Sequence, residues 1–263
     1  MRPNPVKAAL ASGGRAFGAM VFEFFTPGMA QVMAVAGAEF AVWDTEHSGV
    51  GIETIKAQMA FARGTTCTPF VRVGSHEPHA IAAALDAGAF GIMAPMVETA
   101  AQAGALVAST RYAPAGHRGA AFGVAHDDYR PGPPAEKVRL AHERTLVIAM
   151  VETAEGVANV DAIAAVPGID VLWLGHFDLT NSMGIPGQFT HPDFQVAIEA
   201  IAAAAARHGK TAAMMAADEA WAARFLALGY RMVAYGIDHL VYQAALARGI
   251  AAMRAMAPGT ESP

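Results

Sequence analysis

The sequence predicts a (β/α)8 barrel, a parallel sheet closed on itself and covered by helices. Short runs rich in β-branched and aromatic residues alternate with longer alanine-rich stretches, and strand–helix alternation produces a parallel sheet with helical layers. There are eight such runs in 263 residues, the length of one barrel. The first run ends Glu23-Phe-Phe-Thr-Pro-Gly with no G-x-G-x-x-G after it, so an open doubly wound sheet is disfavoured.

The elements are read in chain order. A leading helix covers Asn4 to Ala11 and is ended by Gly13-Gly14, so residues 1–15 precede the barrel. Strands are expected at Phe17 to Phe24, Phe40 to Asp44, Pro69 to Val73 and Gly91 to Met96. Between and after them fall helices at Gly28 to Gly37, Gly51 to Arg63, Pro78 to Ala87 and Thr99 to Ser109, where alanine, the best helix former, accumulates. A polar excursion follows, residues 111–134, whose Arg130-Pro-Gly-Pro-Pro breaks structure; it is expected to lie over the barrel mouth. The alternation resumes with strands at Thr145 to Val151, Val171 to Gly175, Thr211 to Met215 and Met232 to Tyr235. Helices are expected at Gly156 to Ala165, Asp193 to His208 and Ala217 to Leu228, and a last one within residues 240–256. Its apolar residues fall on more than one face, as in a helix packed on a neighbouring subunit. No stretch is rich enough in Ser or Pro to divide the chain, so one domain is expected over residues 1–263.

Composition narrows the function. Apolar residues make up 54% and charged residues 16%, which is the opposite of a disordered chain. The net charge of −5 offers no basic footprint for nucleic acid. No segment approaches the ~20 apolar residues of a membrane span. The one cysteine, Cys67, precludes an intramolecular disulfide framework and a cysteine zinc cluster, and a reducing, cytoplasmic setting is expected.

Charges gather where a barrel enzyme needs them. Active sites of this fold lie at the C-terminal ends of the strands. The runs here end Trp43-Asp44-Thr45-Glu46-His47, Val71-Arg72, Met150-Val151-Glu152 and Gly175-His176-Phe177-Asp178, with Glu23 after the first. Acids on strand ends are costly to desolvate unless they bind something. Asp44, Glu46, Glu152 and Asp178 are hard oxygen donors suited to Mg2+ or Mn2+. Arg72 supplies fixed positive charge for a carboxylate or an enolate, and His47 moves a proton near neutral pH. These parts together fit metal-assisted enolate chemistry. Glu53, Glu98, Glu155 and Asp161 sit in first helical turns, where the helix dipole favours acids. Ser48 and Cys67 lack the base-and-orienter pattern of a nucleophile.

The sequence resembles the HpcH/HpaI family of class II pyruvate aldolases from about Gly18 to Arg254. The matching segments are Trp43-Asp-Thr-Glu-His47, Phe70-Val-Arg72, Leu85-Asp-Ala-Gly88, Ala94-Pro-Met-Val-Glu-Thr-Ala100, Arg111-Tyr-x-Pro-x-Gly-x-Arg-Gly119, Val151-Glu152 and Gly175-His-Phe-Asp-Leu179. The resemblance implies that Glu152 and Asp178 hold a divalent metal, Mg2+, Mn2+ or Co2+. It implies that Gly175 and the backbone at Phe177 and Asp178 meet the pyruvate carboxylate at a helix start. His47 would be the acid/base histidine, Asp86 its aspartate partner, and Arg72 the arginine at the enolate oxygen. Asp44, Glu46 and Met150 would lie just behind the ligands, the two acids holding waters on the metal. The substrates implied are pyruvate and an aldehyde, with no nucleic acid or membrane, in a homo-oligomer built as a hexamer, a trimer of dimers.

Three residues depart from that pattern. Met150 stands where the family often has glutamine, Gly175-His176-Phe177-Asp178 replaces Gly-Pro-Ala-Asp, and Glu23 occupies a usually small or apolar position. They bear on the choice of aldehyde. Two other functions compete: a lyase acting on a CoA thioester, which needs a basic nucleotide-binding surface that the sequence does not display, and a non-catalytic barrel, which the retention of His47, Arg72 and the carboxylates argues against.

Overall fold

The structure, a computed structural model, describes residues 1–256. Eight parallel strands close in sequence order: β1 (Ala16–Val21), β2 (Phe40–Asp44), β3 (Thr68–Arg72), β4 (Gly91–Ala94), β5 (Leu146–Val151), β6 (Val171–Leu174), β7 (Thr211–Ala216) and β8 (Met232–Ile237). β1 pairs with both β2 and β8, which closes the barrel. The helices are α1 (Pro5–Ala11), α2 (Met29–Val35), α3 (Ile52–Ala62), α4 (Pro78–Ala87), α5 (Ala100–Thr110), α6 (Pro134–Arg144), α7 (Ala154–Ala158), α8 (Val160–Ala165), α9 (His176–Ser182), α10 (Pro192–Arg207), α11 (Glu219–Ala227) and α12 (Asp238–Met256).

Strand residues alternate between two cores, because successive side chains point to opposite faces. Phe40 and Val42 on β2, Phe70 on β3, Ile148 and Met150 on β5 and Trp173 on β6 fill the barrel interior. Ala41 and Trp43, Val71, Ala149 and Leu172 face the helical layer. Both faces are covered, so the strands read as continuous apolar runs, and their charged residues collect at the ends. Helix starts are fixed locally. Asn4 accepts from the Lys7 amide at α1, Asp218 from that of Trp221 at α11, and Thr99 forms a reciprocal capping box with Gln102 at α5.

Five sequence expectations need correction. Residues 111–134 do not cover the mouth. α5 runs away from the strands' C-terminal ends, so the chain leaving it emerges at the opposite end of the barrel. There Asp128 pairs with Arg2 at 3.2 Å, and Arg63 at the end of α3 donates to the Ala125 carbonyl. The excursion also leads into a helix, α6, that the proline run obscured. Pro134 sits at its start, where a missing N–H costs nothing. α9 is a further unexpected helix, and the single helix expected at Gly156 to Ala165 is two, meeting at Asn159. The last helix begins at Asp238 rather than beyond it. Asp238 is its one buried residue, and Leu240, Val241, Tyr242, Leu246, Met253 and Met256 are all exposed. The domain expected over residues 1–263 includes 257–263, which lie outside the described residues.

Candidate active site

A cavity of about 300 Å3 opens at the C-terminal ends of the strands. Its wall includes His47, Arg72, Met150, Glu152, Gly175, His176, Phe177 and Asp178, brought together from the ends of β2, β3, β5 and β6. Most residues expected at one rim therefore do share one space.

Arg72 is the fixed point. Its guanidinium is buried, with Nε 2.5 Å from Asp44 Oδ1 and Nη1 3.1 Å from Glu46 Oε2. The Phe22 ring lies 4.9 Å from its Cζ, closing one face. Nη2 is buried and has no partner among the described residues. A buried donor left unpaired costs about 1–3 kcal/mol, so this geometry holds a donor in reserve for an acceptor entering the cavity.

Glu152 is also buried. Burial is the main cause raising its carboxyl to about 7, reinforced by the negative charges of Asp178 and Glu46; the Met96 amide and Arg72 act in the opposite direction. The Met96 amide donates to Oε1 at 2.6 Å, and Met96 adopts φ +52° to aim it. Only a few per cent of non-glycine residues take such a conformation. Gly175 leaves the space that Oε2 occupies, because a β-carbon at residue 175 would overlap that oxygen. Gly175→Ala is therefore expected to displace Glu152 and reduce activity about 100-fold. Far-UV circular dichroism should show the barrel intact; an alanine variant with full activity would refute the packing argument.

The carboxylates divide into two groups. Asp44 is fully buried and does not line the cavity. It accepts from Arg72 and from the amides of Glu46 and His47. Through these contacts it aims Arg72 and shapes the turn that presents His47. Glu46 is half-buried, its carboxyl raised by burial. Glu152 and Asp178 remain on the cavity wall. Among the described residues no three His, Cys, Asp or Glu side chains form a ready-made metal cluster. The donor set is two carboxylates on an open wall, which fits a hard dication that completes its shell with small molecules.

His47 is largely exposed, its Nε2 3.7 Å from Glu46 Oε2. The expected contact with Asp86 is not made within the described chain. Asp86 faces outward from α4 into a separate cavity, where Arg118 holds it at 2.5 Å. An aspartate late in α4 is carried away from its own chain's mouth, because that helix descends from it; within the described residues Glu46 is the acid beside the histidine.

Of the departing residues, Met150 and His176 line the cavity, and Glu23 is exposed outside it. His176 is packed against Phe177, Trp221 and Phe189, with ring centroids 4.5, 5.1 and 5.4 Å away. Burial pushes its imidazole down to about 4. Sequence reasoning missed Asp238. Its carboxylate accepts from the amides of Phe22, Glu23 and Phe24, pinning the β1 loop that lays Phe22 on Arg72. Its sequence signal was an acid directly after the last strand, the same signal that marked Asp44 and Glu152.

A parallel barrel with buried acids and a buried guanidinium at its C-terminal mouth defines an α/β-barrel enzyme acting on a small molecule. The particular lineage follows from comparison: the family described as HpcH/HpaI aldolase/citrate lyase matches residues 19–245, and the chain belongs to it. It is 39% identical over 244 residues to a hydroxypyruvate/pyruvate aldolase of Chromohalobacter salexigens, covering 92% of this chain and 95% of that one. It is 37% identical over 243 residues to a 5-keto-4-deoxy-D-glucarate aldolase of Shigella dysenteriae, covering 92% and 94%. The crystal structure of an HpcH/HpaI aldolase from Desulfitobacterium hafniense superposes with a TM-score of 0.90 at 28% identity, covering 95% of this chain and 96% of that one.

Proposed function

We propose that this protein is a class II pyruvate aldolase, cleaving a 4-hydroxy-2-oxo acid reversibly to pyruvate and an aldehyde. The observation that carries this reading is the unpaired, buried Nη2 of Arg72 on the same cavity wall as Glu152 and Asp178. A donor poised for an oxygen that gains negative charge, beside two hard donors for a dication, is what enolate formation requires.

Glu152 and Asp178 would hold a divalent cation, Mg2+, Mn2+ or Co2+. When bound, that ion supplies Lewis-acid stabilisation of charge on the keto oxygen of pyruvate. Arg72 donates from Nη2 to the same oxygen, held in place by Asp44 and Glu46. Phe22 and the apolar cavity wall exclude water and strengthen these contacts. Gly175 and the backbone of Phe177 and Asp178 border the space for the carboxylate. His47, beside Glu46, transfers the proton of the aldehyde-side hydroxyl: it accepts that proton in cleavage and returns it in condensation.

His47→Ala is expected to lower aldol cleavage about 10²–10⁴-fold, the usual worth of a positioned acid–base group. Exchange of the pyruvate methyl protons, read by NMR in D2O without aldehyde, should fall much less. Equal loss of both would make His47 the enolising base. The direct test of the function is a screen of 4-hydroxy-2-oxo acids with coupled pyruvate detection, with and without chelator. Cleavage that the chelator abolishes and added Mg2+ or Mn2+ restores is expected; chelator-resistant cleavage would overturn the metal-dependent reading.

The assembly belongs to the same proposal, a homo-oligomer in which α12 packs on a neighbouring subunit. The row of exposed apolar residues along it supports this. Among the described residues no helix is long and apolar enough to cross a membrane.

A further inference from the structure

We propose that His76 is a positioning residue for Glu152, acting through the peptide group between Pro95 and Met96. Its imidazole Nε2 lies 2.5 Å from the Pro95 carbonyl oxygen, and the amide of that same peptide donates to Glu152 Oε1 at 2.6 Å. The effect on cation binding rests on the reading above that Glu152 is a ligand; the effect on Glu152 itself does not.

A carbonyl oxygen only accepts, so Nε2 of His76 carries a proton, as it does in one neutral tautomer and in the imidazolium alike. The peptide group is planar, so fixing the direction of its C=O fixes the direction of its N–H. Two hydrogen bonds therefore run in series across three strand ends, from the loop after β3, through the loop after β4, to the residue after β5. Bonds at the two ends of one peptide polarise each other, and a bond to an ionised carboxylate is the stronger kind. His76 itself stands outside the cavity wall and outside the segments that carry the family resemblance.

The backbone at Met96 shows what this arrangement overcomes. A φ of +52° is sparsely populated by non-glycine residues and persists only where the surroundings impose it. Met96 is 45% exposed, so burial of its own side chain does not impose it. The two hydrogen bonds on the preceding peptide do, one anchored at the end of β5 by Glu152 and the other on the loop after β3 by His76. Without His76, that peptide is free to turn toward a commoner conformation. Glu152 would then lose the one hydrogen bond it makes among the described residues. Gly175 bounds its other oxygen, so a displaced Oε1 reorients the whole carboxylate. Groups that orient a metal ligand are typically worth about 10- to 100-fold in metal affinity.

The test reads the two ends of this relay separately. Pro95-Met96 is the one Pro-Met step in the sequence, so carbonyl-13C proline with 15N-methionine gives a single HNCO cross-peak for that carbonyl and that amide. In the metal-free protein, His76→Phe keeps a ring and removes the donor. It is expected to move both the carbonyl carbon and the Met96 amide proton upfield, as weakened hydrogen bonds do. His76→Gln restores a donor at similar reach and should return both toward wild type. Affinity for Mn2+, measured by electron paramagnetic resonance of the free ion, should fall about tenfold in His76→Phe and stay within about threefold of wild type in His76→Gln. A histidine that only filled space would show the reverse order, with phenylalanine tolerated and glutamine not. A cross-peak unmoved by His76→Phe would overturn the proposal. So would a moved cross-peak with Mn2+ affinity unchanged, where Glu152→Gln abolishes Mn2+ binding. If Glu152→Gln leaves Mn2+ affinity intact, the reading of Glu152 as a ligand fails and the cation half of this proposal falls with it, while the cross-peak still decides the other half.

Discussion

Replacing Arg72 with alanine is expected to lower both pyruvate methyl-proton exchange and aldol cleavage about 10²–10³-fold, the usual cost of removing one preorganised donor at a developing oxyanion. Both reactions pass through the enolate, so both lose the same stabilisation. The variant carries a structural cost as well. Asp44 is fully buried, and Arg72 is its charged partner. Removing one member of a buried ion pair typically costs about 3–5 kcal/mol, because the other charge is stranded. Arg72→Lys keeps the charge and loses the forked geometry. It should recover most of the stability, measured by urea unfolding, and little of the exchange rate. A lysine variant with near-normal exchange would show that Arg72 acts through charge alone. Loss of cleavage with exchange intact would remove Arg72 from the enolate step.

Glu152→Gln is expected to abolish cation-dependent activity, because an amide is a poor ligand for a hard dication and one carboxylate is left on the wall. The metal-free protein offers a second readout. Burial holds the Glu152 carboxyl near 7, against an ordinary value of 4.5. The folded state therefore binds a proton that the unfolded state has released between those values. This contribution favours folding at low pH and is lost as pH rises through 7, with a ceiling of roughly 3 kcal/mol. With chelator present, the melting temperature of the wild type relative to Glu152→Gln should thus be higher at pH 5.5 than at pH 8. The pH dependence of cation binding runs the other way. Below about 7 the ion must displace a proton, so its affinity should climb by up to tenfold per pH unit. A flat difference in melting temperature would refute the burial argument, and cation affinity unchanged by Glu152→Gln would refute its role as ligand.

The barrel was legible because its physics is local and repetitive. Each strand is buried on both faces and reads as an uninterrupted apolar run, and each helix carries its own alanine-rich stretch. β2 and α4 were bounded correctly from the sequence for this reason. α6 was hidden by prolines that in fact begin it, and α9 by its short polar sequence, His176 to Ser182. The side on which the residue 111–134 segment lies depends on the direction of α5 in the assembled barrel, which no local signal carries.

By itself the sequence determined that acids, Arg72 and His47 end several of the strands, and a parallel barrel must gather strand ends at one mouth. Chain order and strand polarity suffice for that. Only the tertiary structure decided which of these groups point into the shared space and which are spent on one another. Asp44 turned inward to hold Arg72, Asp86 went outward to Arg118, and Asp238 came from far along the chain to fasten the loop that carries Phe22. Each outcome depends on which neighbour lies within hydrogen-bonding distance across the barrel, and that distance is set by packing between strands far apart in sequence, not by anything written at the residue itself.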